Sequence, residues 1–221
     1  KNVLVIGGGP GGMEAARVAR LRGHRVTLFE KQPRLGGQLL LASVPPHKET
    51  IARFTDYLAR QLAKLGVEAH PGEEATPELV RHLKPDAVVI ATGVIPFVPP
   101  IPGTAGKKMV LAEDVLRGKE TGAKVVVIGG EVIGCEVAEY LAAKGKSVTV
   151  CEVAEYVTDA GKVVKRALFA EKLPISLRVR LLDRLSRLGV RMLGGVRYEA
   201  FEEAGLVVAT SDGRTELLPA D

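Results

Sequence analysis

Residues 2–30, NVLVIGGGPGGMEAARVARLRGHRVTLFE, and residues 124–152, KVVVIGGEVIGCEVAEYLAAKGKSVTVCE, align without a gap at an offset of 122. Gly7 falls on Gly129, Gly12 on Gly134, Gly23 on Gly145 and Glu30 on Glu152. The match resumes one residue further out, with LAKLGVE (residues 62–68) against LSRLGVR (residues 185–191). Self-similarity at a fixed offset marks a structural unit used twice. Each copy reads as strand, tight glycine turn, helix, strand. Val3-Leu4-Val5-Ile6 and Val125-Val126-Val127-Ile128 are apolar without alternation, as parallel strands covered on both faces are. Ile133, Val137, Tyr140 and Leu141 recur at helical spacing after the second turn, and Ala15, Val18 and Ala19 after the first. Gly23 and Gly145 stand where helix ends are expected, and Val26–Phe29 and Val148–Val150 supply the second strands.

Outward from the repeat, DAVVIATG (residues 86–93) predicts a further buried strand that runs into VIPFVPPIPG (residues 94–103). Four prolines in that segment make a stiff, extended connector and a domain boundary. The expected fold is therefore α/β, with two Rossmann-like parallel-sheet units at residues 1–103 and 104–221. The second unit carries a hairpin in which Leu206-Val207-Val208 and Glu216-Leu217-Leu218 flank the turn Ser211-Asp212-Gly213. By the logic of the repeat, the counterpart of residues 86–93 would follow LLPAD (residues 217–221). The second unit is thus expected to be cut short at its C-terminus, and the chain to be a piece of a longer polypeptide.

Composition agrees with two small packed domains: 221 residues, 46% apolar and 26% charged, describe a globular chain rather than a disordered one. Its 25 glycines exceed the usual share of about 7% without a collagen period, so glycine is needed at particular backbone positions. Aromatics at 4% and the lack of Trp argue against base-stacking platforms for nucleic acid. The net charge of +5 is partly concentrated between Lys162 and Arg197, where ten basic residues meet only Glu171 and Asp183. There Leu177, Leu181, Leu185 and Leu188 share one helical face and Arg178, Arg180, Arg184 and Arg187 lie off it, the pattern of a solvated amphipathic helix. Two cysteines, Cys135 and Cys151, form neither a disulfide framework nor a metal cluster, which points to the cytoplasm. There is no signal-peptide pattern, and no apolar run approaches the roughly 18 residues of a membrane span.

The glycine loops carry the chemistry. Gly7-Gly8-Gly9-Pro10-Gly11-Gly12 satisfies G-x-G-x-x-G between a strand and a helix, with Glu30 closing the next strand. Gly7 permits the tight turn, Gly9 lets a pyrophosphate approach the backbone, and Gly12 lets helix and strand pack closely. The helix start then offers unpaired N–H groups and partial positive charge to phosphates, and Glu30 can accept hydrogen bonds from an adenosine ribose. In the second copy Gly129 and Gly134 are in place, but Glu131 occupies the middle glycine position. Its side chain crowds a pyrophosphate and its carboxylate repels one unless the loop carries it outward. Glu152 suits a ribose 2′-hydroxyl, favouring NADH over NADPH.

With the paired loops, EKQPRLGGQLLLA (residues 30–42), ATGVIPFVPPIPG (residues 91–103) and AEDVLRG (residues 112–118) complete a likeness that covers essentially the whole chain. The sequence resembles flavoproteins with two dinucleotide-binding domains. In particular it is similar to the C-terminal half of the Old Yellow Enzyme-like NADH:flavin oxidoreductases, the family of 2,4-dienoyl-CoA reductase and trimethylamine dehydrogenase. The resemblance implies that Gly7, Gly9, Pro10, Gly11, Gly12, Glu30, Lys31, Gly36, Gly37, Gln38, Leu39 and the Ala91-Thr92-Gly93 turn border FAD, or ADP as in trimethylamine dehydrogenase. It also implies that Gly129, Gly134 and Glu152 face NAD(H). The complete enzymes carry an N-terminal TIM-barrel domain with FMN and a four-iron cluster, so that barrel is the implied partner.

Disulfide reductase chemistry is disfavoured, because Cys135 and Cys151 do not form the close pair it needs. His24, His47, His70 and His82 show no ligand spacing, and no residue is assigned to catalysis or to a metal. Hydride transfer between two cofactors mainly requires orientation. Two functions stand: an electron-input module passing hydride from NAD(P)H to FAD, or a non-redox module holding ADP. Neither involves nucleic acid or a membrane, and homo-oligomerisation is left open.

Overall fold

The computed structural model describes residues 1–104, 109–153, 155–159, 162–166 and 169–221, with the backbone alone for 155–159 and 162–166. The chain forms two compact units, Lys1–Pro96 and Phe97–Asp221.

The first unit runs β1 (Asn2–Ile6), α1 (Pro10–Leu21), β2 (Arg25–Glu30), α2 (Gln38–Ala42), α3 (Glu49–Leu65), β3 (Glu68–Pro71), α4 (Pro77–Leu83) and β4 (Ala87–Ile90). Its four strands are parallel, in the order β3-β2-β1-β4. Pro10 opens α1, where a missing N–H costs nothing because the first helical amides have no intrahelical partner. Val3, Val5, Val26 and Leu28 on one sheet face pack against Met13 and Ala16 of α1 and Leu58 and Leu62 of α3. The buried stripe of α1 is therefore Met13 and Ala16, with Ala19 at its margin; Ala15 and Val18 are only partly covered. The Arg20 guanidinium donates to the carbonyls of Leu65 (2.7 Å) and His24 (3.1 Å), tying the end of α1 to the end of α3.

Strand β4 departs from the expectation of a buried strand. It lies at the sheet edge with β1 as its one neighbour; Val89 reaches the core, while Val88 is exposed and Ile90 is 76% exposed. An unbroken apolar run reports a strand that wants covering on both faces, and here the second is covered at Leu4 of β1 but only in part at its neighbour Val88. Asp86 starts the strand: its amide donates to the Asn2 carbonyl (2.9 Å), and its carboxylate accepts from the Asn2 amide (2.6 Å).

The second unit runs α5 (Ala112–Leu116), β5 (Lys124–Ile128), α6 (Val132–Ala143), β6 (Ser147–Val153), β7 (Glu155–Asp159), β8 (Lys162–Arg166), α7 (Ile175–Arg187), β9 (Arg191–Glu202), β10 (Gly205–Ala209) and β11 (Thr215–Pro219). Its main sheet has the order β11-β10-β9-β6-β5; β5, β6 and β9 are parallel, and β9, β10 and β11 form an antiparallel meander that includes the expected hairpin. β7 and β8 pair as a separate ribbon, which carries Lys162, Lys165 and Arg166 of the basic stretch; their side chains lie outside the described residues. Ile101 is buried and the Pro102 carbonyl accepts from the Phe201 amide (2.7 Å), so the end of the proline segment packs with the second unit and the division falls earlier than Gly103. Asp221 repeats the role of Asp86. Its amide donates to the Lys124 carbonyl (3.1 Å), and its carboxylate accepts from Ala123 and Lys124 (3.0 and 2.9 Å).

On one face of this sheet Val148 and Val150 pack with Val137, Ala138 and Leu141 of α6 and Leu181 and Leu185 of α7. On the other, Cys151 packs with Val196, Leu206, Val208 and Leu218. The leucine face expected for α7 is half realised. Leu181 and Leu185 are buried, but Leu177 and Leu188 are exposed, because α7 is covered only over its central turns. Ile133 is likewise exposed at the start of α6. The arginines of α7 are not all solvated: Arg184 forms an ion pair with buried Glu139, and Arg178 donates to the Phe169 carbonyl (2.7 Å). Among the described residues no helix is long and apolar enough to cross a membrane.

Candidate functional site

At the carboxyl end of β1 the chain turns at Gly7, whose φ of +108° lies in the left-handed region that glycine alone enters freely. Its amide donates to the Phe29 carbonyl (2.8 Å), and a Cβ here would overlap the Ala91 carbonyl oxygen. Gly12 sits in the first turn of α1, where a Cβ would overlap the Gly7 carbonyl oxygen, so the helix can start this close to the strand only with hydrogen at that position. Gly9 is the extended residue before the helix, and its carbonyl accepts from the Met13 amide (2.9 Å). The segment after β2 returns across this turn. The Gly36 amide donates to the Gly8 carbonyl (2.8 Å), and Gly37 lies so close to Gly9 that a Cβ on it would stand 2.8 Å from the Gly9 Cα.

Gly7, Gly9, Pro10, Gly11, Gly12, Gly36, Gly37 and Ala91 are thus gathered at one strand end. Gln38 and Leu39 open α2 directly behind Gly37, Thr92 and Gly93 continue exposed from Ala91, and Lys31 is exposed after Glu30. Glu30 is 7% exposed and turned inward: one carboxylate oxygen accepts from the Gly8 amide (2.6 Å), the other from the Gln32 amide (2.7 Å). A carboxylate has about four lone-pair positions, so two remain for hydroxyl donors.

The second unit rebuilds most of this. Gly129 has φ +95° and donates to the Cys151 carbonyl (2.9 Å), and a Cβ on Gly134 would overlap the Gly129 carbonyl oxygen. Glu152 accepts from the amides of Gly130 (2.6 Å) and Val153 (2.8 Å). Glu131 has the same extended backbone as Gly9, φ −71° against −72°, which any residue adopts. Three features carry no signal in the sequence. The Phe169–Lys172 segment lies on the glycine turn, the Ala170 amide donating to the Gly130 carbonyl (2.7 Å) and the Phe169 ring packing where a Gly130 side chain would go. Arg178 holds that segment through the Phe169 carbonyl. The Tyr198 hydroxyl donates to the Cys151 carbonyl (3.0 Å), beneath Glu152; burial, then the Glu152 charge, raise its pKa.

The cysteines lie on opposite faces of the second sheet, Cys135 on α6 within the core shared with α7, Cys151 under the meander. Both thiols are pushed up to about 12, chiefly by burial, and for Cys135 the charges of Glu131 and Glu152 add to it. Neither thiolate forms at neutral pH. A native-state titration with a thiol-specific disulfide reagent should therefore release less than one equivalent within an hour, and two after denaturation; fast native labelling would contradict this environment. His70 stacks on Phe29 with its ring nitrogens facing Glu68 and Glu73 (3.3 and 3.4 Å), a structural arrangement. Among the described residues no group of three or more His, Cys, Asp or Glu side chains is placed to hold a metal.

Strand, glycine turn, helix and a terminal acid hydrogen-bonded to the turn make the dinucleotide-binding half of a Rossmann unit, and this chain has two of them. Residues 1–221 match the pyridine nucleotide-disulphide oxidoreductase family, and the chain belongs to it. It is 46% identical over 140 residues to an NADH oxidase of Thermoanaerobacter brockii, a match covering 61% of this chain and 22% of that protein. It is 44% identical over 137 residues to a metal reductase of Desulforamulus reducens, covering 60% and 20%. Among solved structures it is similar to 2-naphthoyl-CoA reductase in its 2-naphthoyl-CoA complex, with a TM-score of 0.90 and 33% identity over 99% of this chain and 31% of that one. The chain thus spans about a fifth of the curated relatives and about a third of the solved structure.

Proposed function

We propose that this chain is the electron-input portion of a larger NAD(P)H-dependent flavin oxidoreductase, with FAD in the first unit and NAD(H) in the second. The observation that supports the first assignment is the approach of Gly37 to Gly9 beside Glu30: a bare-backbone cradle with an acceptor pair at its end, which fits the diphosphate and ribose of a dinucleotide. FAD bound there would take hydride from NAD(P)H and release electrons towards an FMN and four-iron–four-sulfur centre in the parent protein's barrel domain.

The residues of this chain bind and orient. Gly7 and Gly12 hold the helix start against the strand, so that the amides of its first turn face the phosphates. Glu30 accepts from the adenosine ribose, and Gly36, Gly37, Gln38 and Leu39 wall the cradle, with Ala91, Thr92 and Gly93 on the other side of the turn. In the second unit Gly134 repeats the close helix start and Glu152 the ribose contact. Lys31 adds positive charge at the rim. The barrel partner and a cytoplasmic location belong to the same reading.

The test is the anaerobic visible spectrum of the full-length protein. FAD released on denaturation in addition to any FMN, from a protein whose flavin absorbance is bleached by NADH, is the expected result; release of ADP and no FAD would replace this function with the non-redox nucleotide module.

A further inference from the structure

The two glycine turns are crossed by equivalent segments that part company at one residue. In each, an apolar side chain packs where a side chain on the second turn glycine would go, Leu35 over Gly8 and Phe169 over Gly130. In each, the next amide donates to that glycine's carbonyl, from Gly36 at 2.8 Å and Ala170 at 2.7 Å. Beyond this point the first unit continues with Gly37, φ +51°, laid against Gly9. In the second unit Ala170 itself takes the left-handed conformation, φ +49°, and the chain goes on through Glu171 and Lys172 past Glu131. The Glu131 side chain makes no hydrogen bond to its own helix start, and its carboxylate lies 3.5 Å from the Lys172 amide. Glu131 thus stays beside the turn, partly exposed, with its carboxylate next to the crossing segment.

From this we infer that the second unit selects its nucleotide by the adenosine end, with little contribution from the diphosphate. This deepens the proposed function and rests on its placement of NAD(H). Glu152 keeps the contact of Glu30 to the turn amide and takes its second from Val153 where Glu30 takes it from Gln32, so a carboxylate acceptor still stands at the ribose end. The diphosphate end instead meets the Glu131 carboxylate at the position where the first unit has bare backbone. That charge cancels much of the attraction a helix start offers an anion. The ligand class is an adenine nucleoside or nucleotide whose affinity changes little as phosphates are added.

Calorimetric titration of the FAD-loaded full-length protein with adenosine and with ADP-ribose, each repeated in saturating NADH, tests this. The expected result is NADH-competed binding with dissociation constants within about threefold of each other. Glu131→Gln should open the ratio to about tenfold and Glu131→Gly to about thirtyfold in favour of ADP-ribose, with adenosine binding unchanged in both. A wild-type ratio already near thirtyfold, or a ratio unmoved by both substitutions, would overturn adenosine-end selection while leaving the nucleotide site standing. If NADH displaces neither ligand, or Glu152→Ala leaves both affinities unchanged, the assignment of the site falls and this inference with it.

Discussion

Gly12→Val should cost the first unit about 3 kcal/mol or more, lowering its melting temperature by on the order of 15 °C. The new Cβ would overlap the Gly7 carbonyl oxygen, a backbone atom at the end of β1 that cannot rotate away. Relief requires α1 to move off the sheet, and α1 carries Met13 and Ala16 into the core one and four residues further on. The overpacking penalty of roughly 1–3 kcal/mol seen where side chains can adjust is therefore a lower bound. Gly11→Ala is the control: nothing stands within 4 Å of a Cβ there, and in a helix the exchange of glycine for alanine is favourable by roughly 0.5–1 kcal/mol. Thermal melts of the two variants, with proteolytic fragments identified by mass, separate the effects. A Gly12→Val protein melting within about 2 °C of the parent would show that the close helix start is not a constraint. Gly134→Val should behave in the second unit as Gly12→Val does in the first, since its Cβ would meet the Gly129 carbonyl in the same way.

Glu30→Gln is expected to be almost as damaging as Glu30→Ala, each costing about 2–4 kcal/mol and lowering the FAD content of the purified protein. Both carboxylate oxygens accept from backbone amides, Gly8 and Gln32, in a site that is 7% exposed. A carboxamide offers one acceptor oxygen and one donor nitrogen, so one amide N–H would face another N–H whichever way the side chain turned. Alanine leaves both amides without a partner but makes room for water. The signature of a merely isosteric role would be a Glu30→Gln protein with wild-type denaturation midpoint and full flavin content; that outcome would remove the carboxylate from the account of both fold and binding.

These predictions draw on features with different visibility in the chain. The glycines of the turns and the terminal glutamates were legible because their cause is local: a strand-to-helix turn of this length tolerates only glycine where the helix abuts the strand, and the repeat displays that constraint twice. The parallel strands were legible for the same reason, as apolar runs flanked by turns. Apolar character did not by itself decide burial. Val88 and Ile90 continue such a run, yet stand on an edge strand, and Leu177 and Leu188 complete a helical stripe whose ends are left exposed. An apolar residue states a preference, and only the neighbours satisfy it.

Sequence by itself determined that this is a chain of two strand–turn–helix–strand units, each ending in a glutamate, because both glycine spacing and apolar periodicity are set by contacts within about thirty residues. Tertiary structure alone decided what crosses each turn. Leu35–Gly37 and Phe169–Glu171 share no spacing or composition that would align them: one follows β2 within seven residues, the other follows a ribbon absent from the first unit. They become equivalent only when the Gly36 and Ala170 amides are seen to donate to Gly8 and Gly130. That long-range pairing makes Glu131 a charge held beside the second turn, since a single sequence position carries no record of which distant segment will close over it.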